Sequence, residues 1–218
     1  MKIMLRKTIL FLTLTIFVAA SLKAQNLEEA KKLVYYEKYE SAKKALKAIV
    51  DADPNNEEAI YWLGQSMIRP EESTPADWNE AKKLYQSKMS NKDNNLITAG
   101  IGHIELLEGK VQDARNHFEA AVSLSQNKSI AVLNAVGYAN GNPDAKNGDP
   151  AYAIDKLKQA TQLKKFNNPD VWVNLGDAYR KIGDGGQAIL SYNAALAIDS
   201  KYARADYRIG KVYQTQGR

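Results

Sequence analysis

Trp172, Leu175, Gly176 and Tyr179, closed by Gly183, form a pattern that returns 34 residues later in a chain of 218. Leu175 maps to Ile209, Gly176 to Gly210, Tyr179 to Tyr213 and Gly183 to Gly217. Upstream, Ile101, Gly102, Gly109, Ala114, Phe118 and Ala121 keep the same register. Ile60, Leu63, Gly64, Ala81 and Tyr85 repeat it, as do Val136, Gly137, Ala153, Leu157 and Ala160, both with a lengthened middle. Self-similarity at one fixed period confines a chain to stacked supersecondary units, each unable to bury its own apolar face alone.

Within 169–202 the apolar positions are Trp172, Leu175, Ala178 and Tyr179, then Ala188, Tyr192, Ala195 and Leu196. Both sets have the spacing of an amphipathic helix stripe. Gly183-Asp184-Gly185-Gly186 between them reads as a helix stop and turn. Gly176 and Ala188 are expected to form a close helix crossing, with Trp172 and Tyr192 filling the remaining volume. The units run 25–56, 57–94, 95–128, 129–168 and 169–202, followed by 203–218. Eleven helices are expected: five pairs and the first helix of a sixth. Leu33, Ala42, Leu46, Ile49 and Pro54 mark the first unit, whose opening helix fits poorly.

The W-x2-L-G-x2-Y…A-x3-F…A arrangement resembles the tetratricopeptide repeat (TPR) across 26–218. The resemblance implies an all-α, right-handed superhelical solenoid of antiparallel helix pairs. It also implies that the first helix of each repeat lines a concave surface open to a protein or peptide. By that correspondence Asn174, Asp177 and Arg180 face the partner in repeat five, and Arg204, Tyr207, Arg208 and Lys211 in repeat six. Family members that grip a peptide's terminal carboxylate use Lys, Asn, Asn and two bases. Asn174, Arg204 and Arg208 match the last three of these positions. Neither Leu133 or Asn134, nor Gly137 or Tyr138, supplies the first two. The chain ends where a second helix of repeat six is expected, leaving Tyr207, Ile209 and Tyr213 without cover. The expectation is a truncated piece of a longer protein. An alternative function is the accessory region of a larger cell-envelope protein or enzyme.

The net charge of +5 belongs mostly to the N-terminus. Residues 1–24 hold Lys2, Arg6, Lys7 and Lys23 and no acid; without them, 26 Lys and Arg face 25 Asp and Glu. A nucleic-acid interface would need a basic stripe that survives this division. The basic start, the apolar run Thr8–Ala20 and the small residues before Gln25 read as a secretory signal peptide. Cleavage is expected after Ala24, with Ala20 as a second site. The run is too short to span a bilayer. An exported chain, periplasmic or envelope-associated in a Gram-negative bacterium, is the expectation. With no cysteine it has no disulfide, thiolate metal site or Cys-linked lipid.

Asp51-Ala52-Asp53-Pro54-Asn55-Asn56 opens like a calcium loop, but Asn56 and Trp62 replace the required glycine and glutamate. Asn140–Asp149 is rich in oxygen ligands yet fails that pattern, and reads as a flexible loop. His103 and His117 read as surface or groove histidines, and the carboxylates as solvated charge. No cofactor, metal site or catalytic constellation is expected. The insertions at Arg69–Trp78 and Asn140–Pro150 are expected on one rim.

Overall fold

The structure, a computed structural model, describes residues 26–68, 73–89, 94–143 and 145–215. The signal-peptide reading, Gly217 and part of the first insertion lie outside the described residues. The described residues form eleven α-helices and no strand. They are α1 (26–35), α2 (Tyr39–Ala52), α3 (Glu57–Met67), α4 (Pro75–Lys88), α5 (Asn95–Leu107), α6 (Val111–Leu124), α7 (Ile130–Gly141), α8 (Pro150–Thr161), α9 (Pro169–Lys181), α10 (Gly185–Ile198) and α11 (Ala203–Thr215).

Local chemistry sets the helix starts. Asn56, Ser129, Asp149, Asn168 and Asp184 each accept a backbone N–H of the turn they open. Thr74 and Asp77 close a reciprocal capping box on α4, with Pro75 in its first turn. Left-handed glycines at 109 (φ 79°) and 183 (φ 82°) stop α5 and α9. Glu37 takes that conformation after α1 (φ 59°), which is one reason the first unit departs from the pattern.

Each odd-numbered helix from α3 to α9 packs antiparallel on the even-numbered helix that follows it. From α3 to α11 the odd helices also pack on one another in sequence, forming a continuous inner layer. Between the layers sits a recurring contact, in which a large side chain of the outer helix fills the space above an inner-helix glycine. A Cβ on Gly64 would stand 2.2 Å from the Tyr85 ring, on Gly102 2.8 Å from Phe118, on Gly137 2.3 Å from Leu157 and on Gly176 2.3 Å from Tyr192. In repeat five the Tyr192 ring occupies the space above Gly176, and Ala188 is fully buried. Tyr85, Phe118, Leu157 and Tyr192 are among the largest fully buried side chains, so the contact anchors the core.

The loop after α7 is held by a lysine. The Lys181 ammonium donates to the carbonyl of Asn142 at 3.0 Å and of Ala145 at 2.6 Å, and approaches that of Asn140 at 3.5 Å. Asn147 donates to the Leu106 carbonyl, and Asp149 both caps α8 and accepts from Arg115. The flexible-loop expectation is corrected, because an internal cation occupies the centre of these oxygens.

Candidate functional site

The residue after each repeat glycine falls on the inner face. Gln65, His103, Tyr138, Asp177 and Lys211 follow Gly64, Gly102, Gly137, Gly176 and Gly210. In the first half of this row the side chains are neutral and linked. Tyr85 donates its hydroxyl to the Tyr61 carbonyl at 2.7 Å and accepts from Gln65 Nε2 at 3.2 Å. The remaining Gln65 oxygen lies 3.0 Å from His103 Nδ1, which must therefore carry a proton. The His103 ring meets Tyr138 edge-on. Of the surface and groove readings, His103 takes the groove one, buried on the inner face, and burial lowers its pKa to about 4. His117 lies 2.6 Å from buried Glu105 across the helix pair, so that carboxylate is not solvated charge.

The second half of the row is ionic. Asp177, with a side chain 5% exposed, accepts the Tyr192 hydroxyl at 2.9 Å. Three guanidinium groups surround it: Arg208 Nε at 3.1 Å, Arg204 Nη2 at 3.6 Å and Arg180 Nε at 4.0 Å. Arg204 also donates to Asn174 Oδ1 at 2.7 Å and approaches Asp170 at 3.4 Å. Tyr202 donates to that same Asp170 carboxylate. Burial opposes the charge of Arg204, but Asp177 and Asp170 outweigh it and hold its pKa above the ordinary guanidinium value. Asn174 spends its amide N–H on Asn134 Oδ1 at 2.8 Å. The Asn174–Arg204 pair that matches a carboxylate grip is thus engaged within the protein.

α1 completes the surface from the opposite side. Tyr35 lies beneath the Arg204 guanidinium and stacks edge-to-face on Trp62, with ring centres 5.1 Å apart. Its hydroxyl pKa is pushed well up by burial, with Asp170 adding to the rise. Lys31 bridges Glu28 at 2.7 Å and Glu58 at 2.8 Å; burial acts against its charge, yet the two carboxylates raise its pKa.

Two recesses result. The larger, of about 530 Å³, brings together Arg180, Arg204, Tyr207, Arg208 and Lys211 from the sequence-derived set. Tyr35, Trp62, Gln65 and Tyr138 line its other wall. The smaller, of about 230 Å³, holds Asn174 with Asp170, Asn134, Tyr61 and Trp62. Tyr35, Trp62 and Tyr138 border both. Asp177 lines neither and sits behind the arginines as their shared counter-ion. Gln65 and Tyr138 are legible as positions following a repeat glycine; Tyr35 carries no such signal. Among the described residues no cluster of three His, Asp or Glu side chains could hold a metal ion. Among them, too, no helix is long and apolar enough to cross a membrane.

A solenoid of paired helices with a polar inner row defines a helical-repeat scaffold. Residues 176–217 match the family model described as TPR repeat. The chain is similar to a thermophilic TPR protein of Thermus thermophilus, with 17% identity over 88% of this chain and 99% of that one, and a TM-score of 0.62. It also resembles a chain of the APC/C hetero-tetramer Cut9-Hcn1, with 19% identity over 89% of this chain and 37% of that one, TM-score 0.52. A monomeric mutant of IFIT1 with Gppp-AAAA shares 17% identity over 83% of this chain and 44% of that one, TM-score 0.54. No curated protein sequence matches the chain.

Proposed function

We propose that this protein is an exported, non-catalytic scaffold that binds a protein or peptide on the inner surface of its solenoid. One observation carries the reading: Arg180, Arg208 and Lys211 converge on a recess walled by Trp62, Tyr35, Tyr138 and Tyr207. Arginine and aromatic side chains are the residues most enriched as interface anchors. The protein-assembly context of the Cut9-Hcn1 chain supports an interaction role for this fold. Outside residues 1–24 the near-balanced charge offers no phosphate-tracking stripe, which favours a protein over a nucleic acid. Export rests on the basic-then-apolar start before Gln25.

An array of random decapeptides probed with the full chain tests the interaction. A subset should bind the wild type and lose binding when Arg208 and Lys211 are both changed to Glu. Retained binding in that variant would remove the inner surface from the reading. For export, intact-mass analysis of the extracytoplasmic fraction should find a product beginning at Gln25. A species keeping residues 1–24 would refute it.

A further inference from the structure

The inner-row chemistry reaches further than a generic interaction surface. We propose that the larger recess is a small-molecule site for a flat organic acid, a carboxylate carried on an aromatic or similarly planar apolar group. This goes beyond the scaffold reading and does not require it.

The volume of about 530 Å³ falls among sites that hold small ligands, roughly 300–1,000 Å³. One wall has donors in excess. Arg180 Nε and Arg208 Nε are buried on the side of Asp177 and make no hydrogen bond, so the outer edges of the two guanidinium groups are what border the recess. The Arg208 Nε stands 3.1 Å from Asp177 but is not aligned on it. Among the described residues no hydrogen-bond acceptor serves the terminal nitrogens of these two arginines, and Lys211 has no ion pair. Asp177 balances their charge only in part, since one carboxylate faces three guanidinium groups and also accepts from Tyr192. A guanidinium edge without an acceptor answers a carboxylate with two parallel N–H bonds.

The rest of the recess fits the planar part. Trp62 and Tyr35 present an edge-to-face pair, and Tyr207 carries Arg208 and Lys211 over its ring at 5.8 and 5.5 Å. Such walls take a flat ring by offset or edge-on stacking. Tyr35, beneath Arg204, stands between this recess and the smaller one. A compact acid can occupy the larger recess alone, whereas an extended peptide along the inner face must pass Tyr35.

Isothermal titration of the full chain with 3-phenylpropionate, its neutral amide 3-phenylpropanamide, and the peptide Gly-Gly-Gly-Gly-Phe tests the assignment. The acid should bind at least tenfold more tightly than the amide. Arg208→Met with Lys211→Met should weaken the acid by tenfold or more at unchanged melting temperature. If that double variant is unfolded, Lys211→Met alone is read and should weaken the acid at least threefold. Equal binding of acid and amide, no binding of the acid, or an unaffected folded variant would overturn the site. Peptide binding tenfold tighter than the free acid would overturn the small-molecule assignment and return the recess to the scaffold reading. A blank decapeptide array with a bound acid would support the acid site and sink the scaffold reading.

Discussion

The guanidinium of Arg204 lies 4.8 Å from the ring centre of Tyr35, so the first and last described helices meet across the inner face. Residues 169 positions apart in the chain are joined by a contact that no repeat motif encodes. A desolvated cation over an aromatic ring contributes about 0.5–2 kcal/mol. Tyr35→Ala should therefore speed amide exchange in 26–35 about tenfold. Tyr35→Phe should leave it near wild type, and α5 should be unaffected by either. Hydrogen-exchange mass spectrometry reads all three, and an unchanged α1 in Tyr35→Ala would show that the contact holds nothing together.

Glycines at two equivalent positions should respond in opposite senses. Gly176→Ala pushes a methyl group into Tyr192, whose hydroxyl is tied to Asp177 and cannot easily give way. Overpacking of this kind costs about 1–3 kcal/mol. A Cβ on Gly210 would meet nothing within 4 Å, so Gly210→Ala should stabilise α11 by up to about 1 kcal/mol. Urea denaturation of both variants checks the pair.

His103 makes stability depend on acidity. Its folded pKa of about 4 lies below the ordinary value of 6.5, because burial disfavours the charged ring. The unfolded chain therefore binds the proton first as pH falls. The contribution of neutral His103 is complete above pH 6.5, declines as pH drops, and is lost once pH passes through about 4. The shift is worth on the order of 3 kcal/mol across that window. His103→Gln should flatten the wild-type decline between pH 7 and 4.5; an identical slope in both proteins would refute the assignment.

Lys181→Met should release the loop that its ammonium organises. The carbonyls of Asn140, Asn142 and Ala145 lose the ammonium, while α7 and α9 keep their packing. Proteolysis and amide exchange over residues 142–149 should accelerate at least tenfold, with the global melting temperature shifted by only a few degrees. Unchanged protection of that loop would mean that Asn147 and Asp149 suffice to hold it.

The periodic part of this architecture can be read directly from residue types. Gly64, Gly102, Gly137 and Gly176 mark where an outer side chain must fit, and steric need leaves few alternatives at such positions. What escapes such a reading is long-range and polar. Glu105 reads as solvated charge and Asp177 as a partner-facing residue in the sequence, because their partners, His117 and Arg208, are fixed only once helices pair. The arginines predicted to meet a partner do line the recess, yet Arg204 is occupied by Asp170, Asn174 and Asp177. Tyr35 comes from the unit whose first helix fits the pattern least, so periodicity is silent where the surface closes.

A superhelix is a spring that accepts any number of turns, and adding a unit merely lengthens it. The pairing of Tyr35 with Arg204 removes that freedom. Inserting or deleting one helix pair between them would rotate a different helix opposite α1 and leave both side chains facing nothing. The contact ties the number of helix pairs standing between α1 and α11 to the meeting of one cation and one ring.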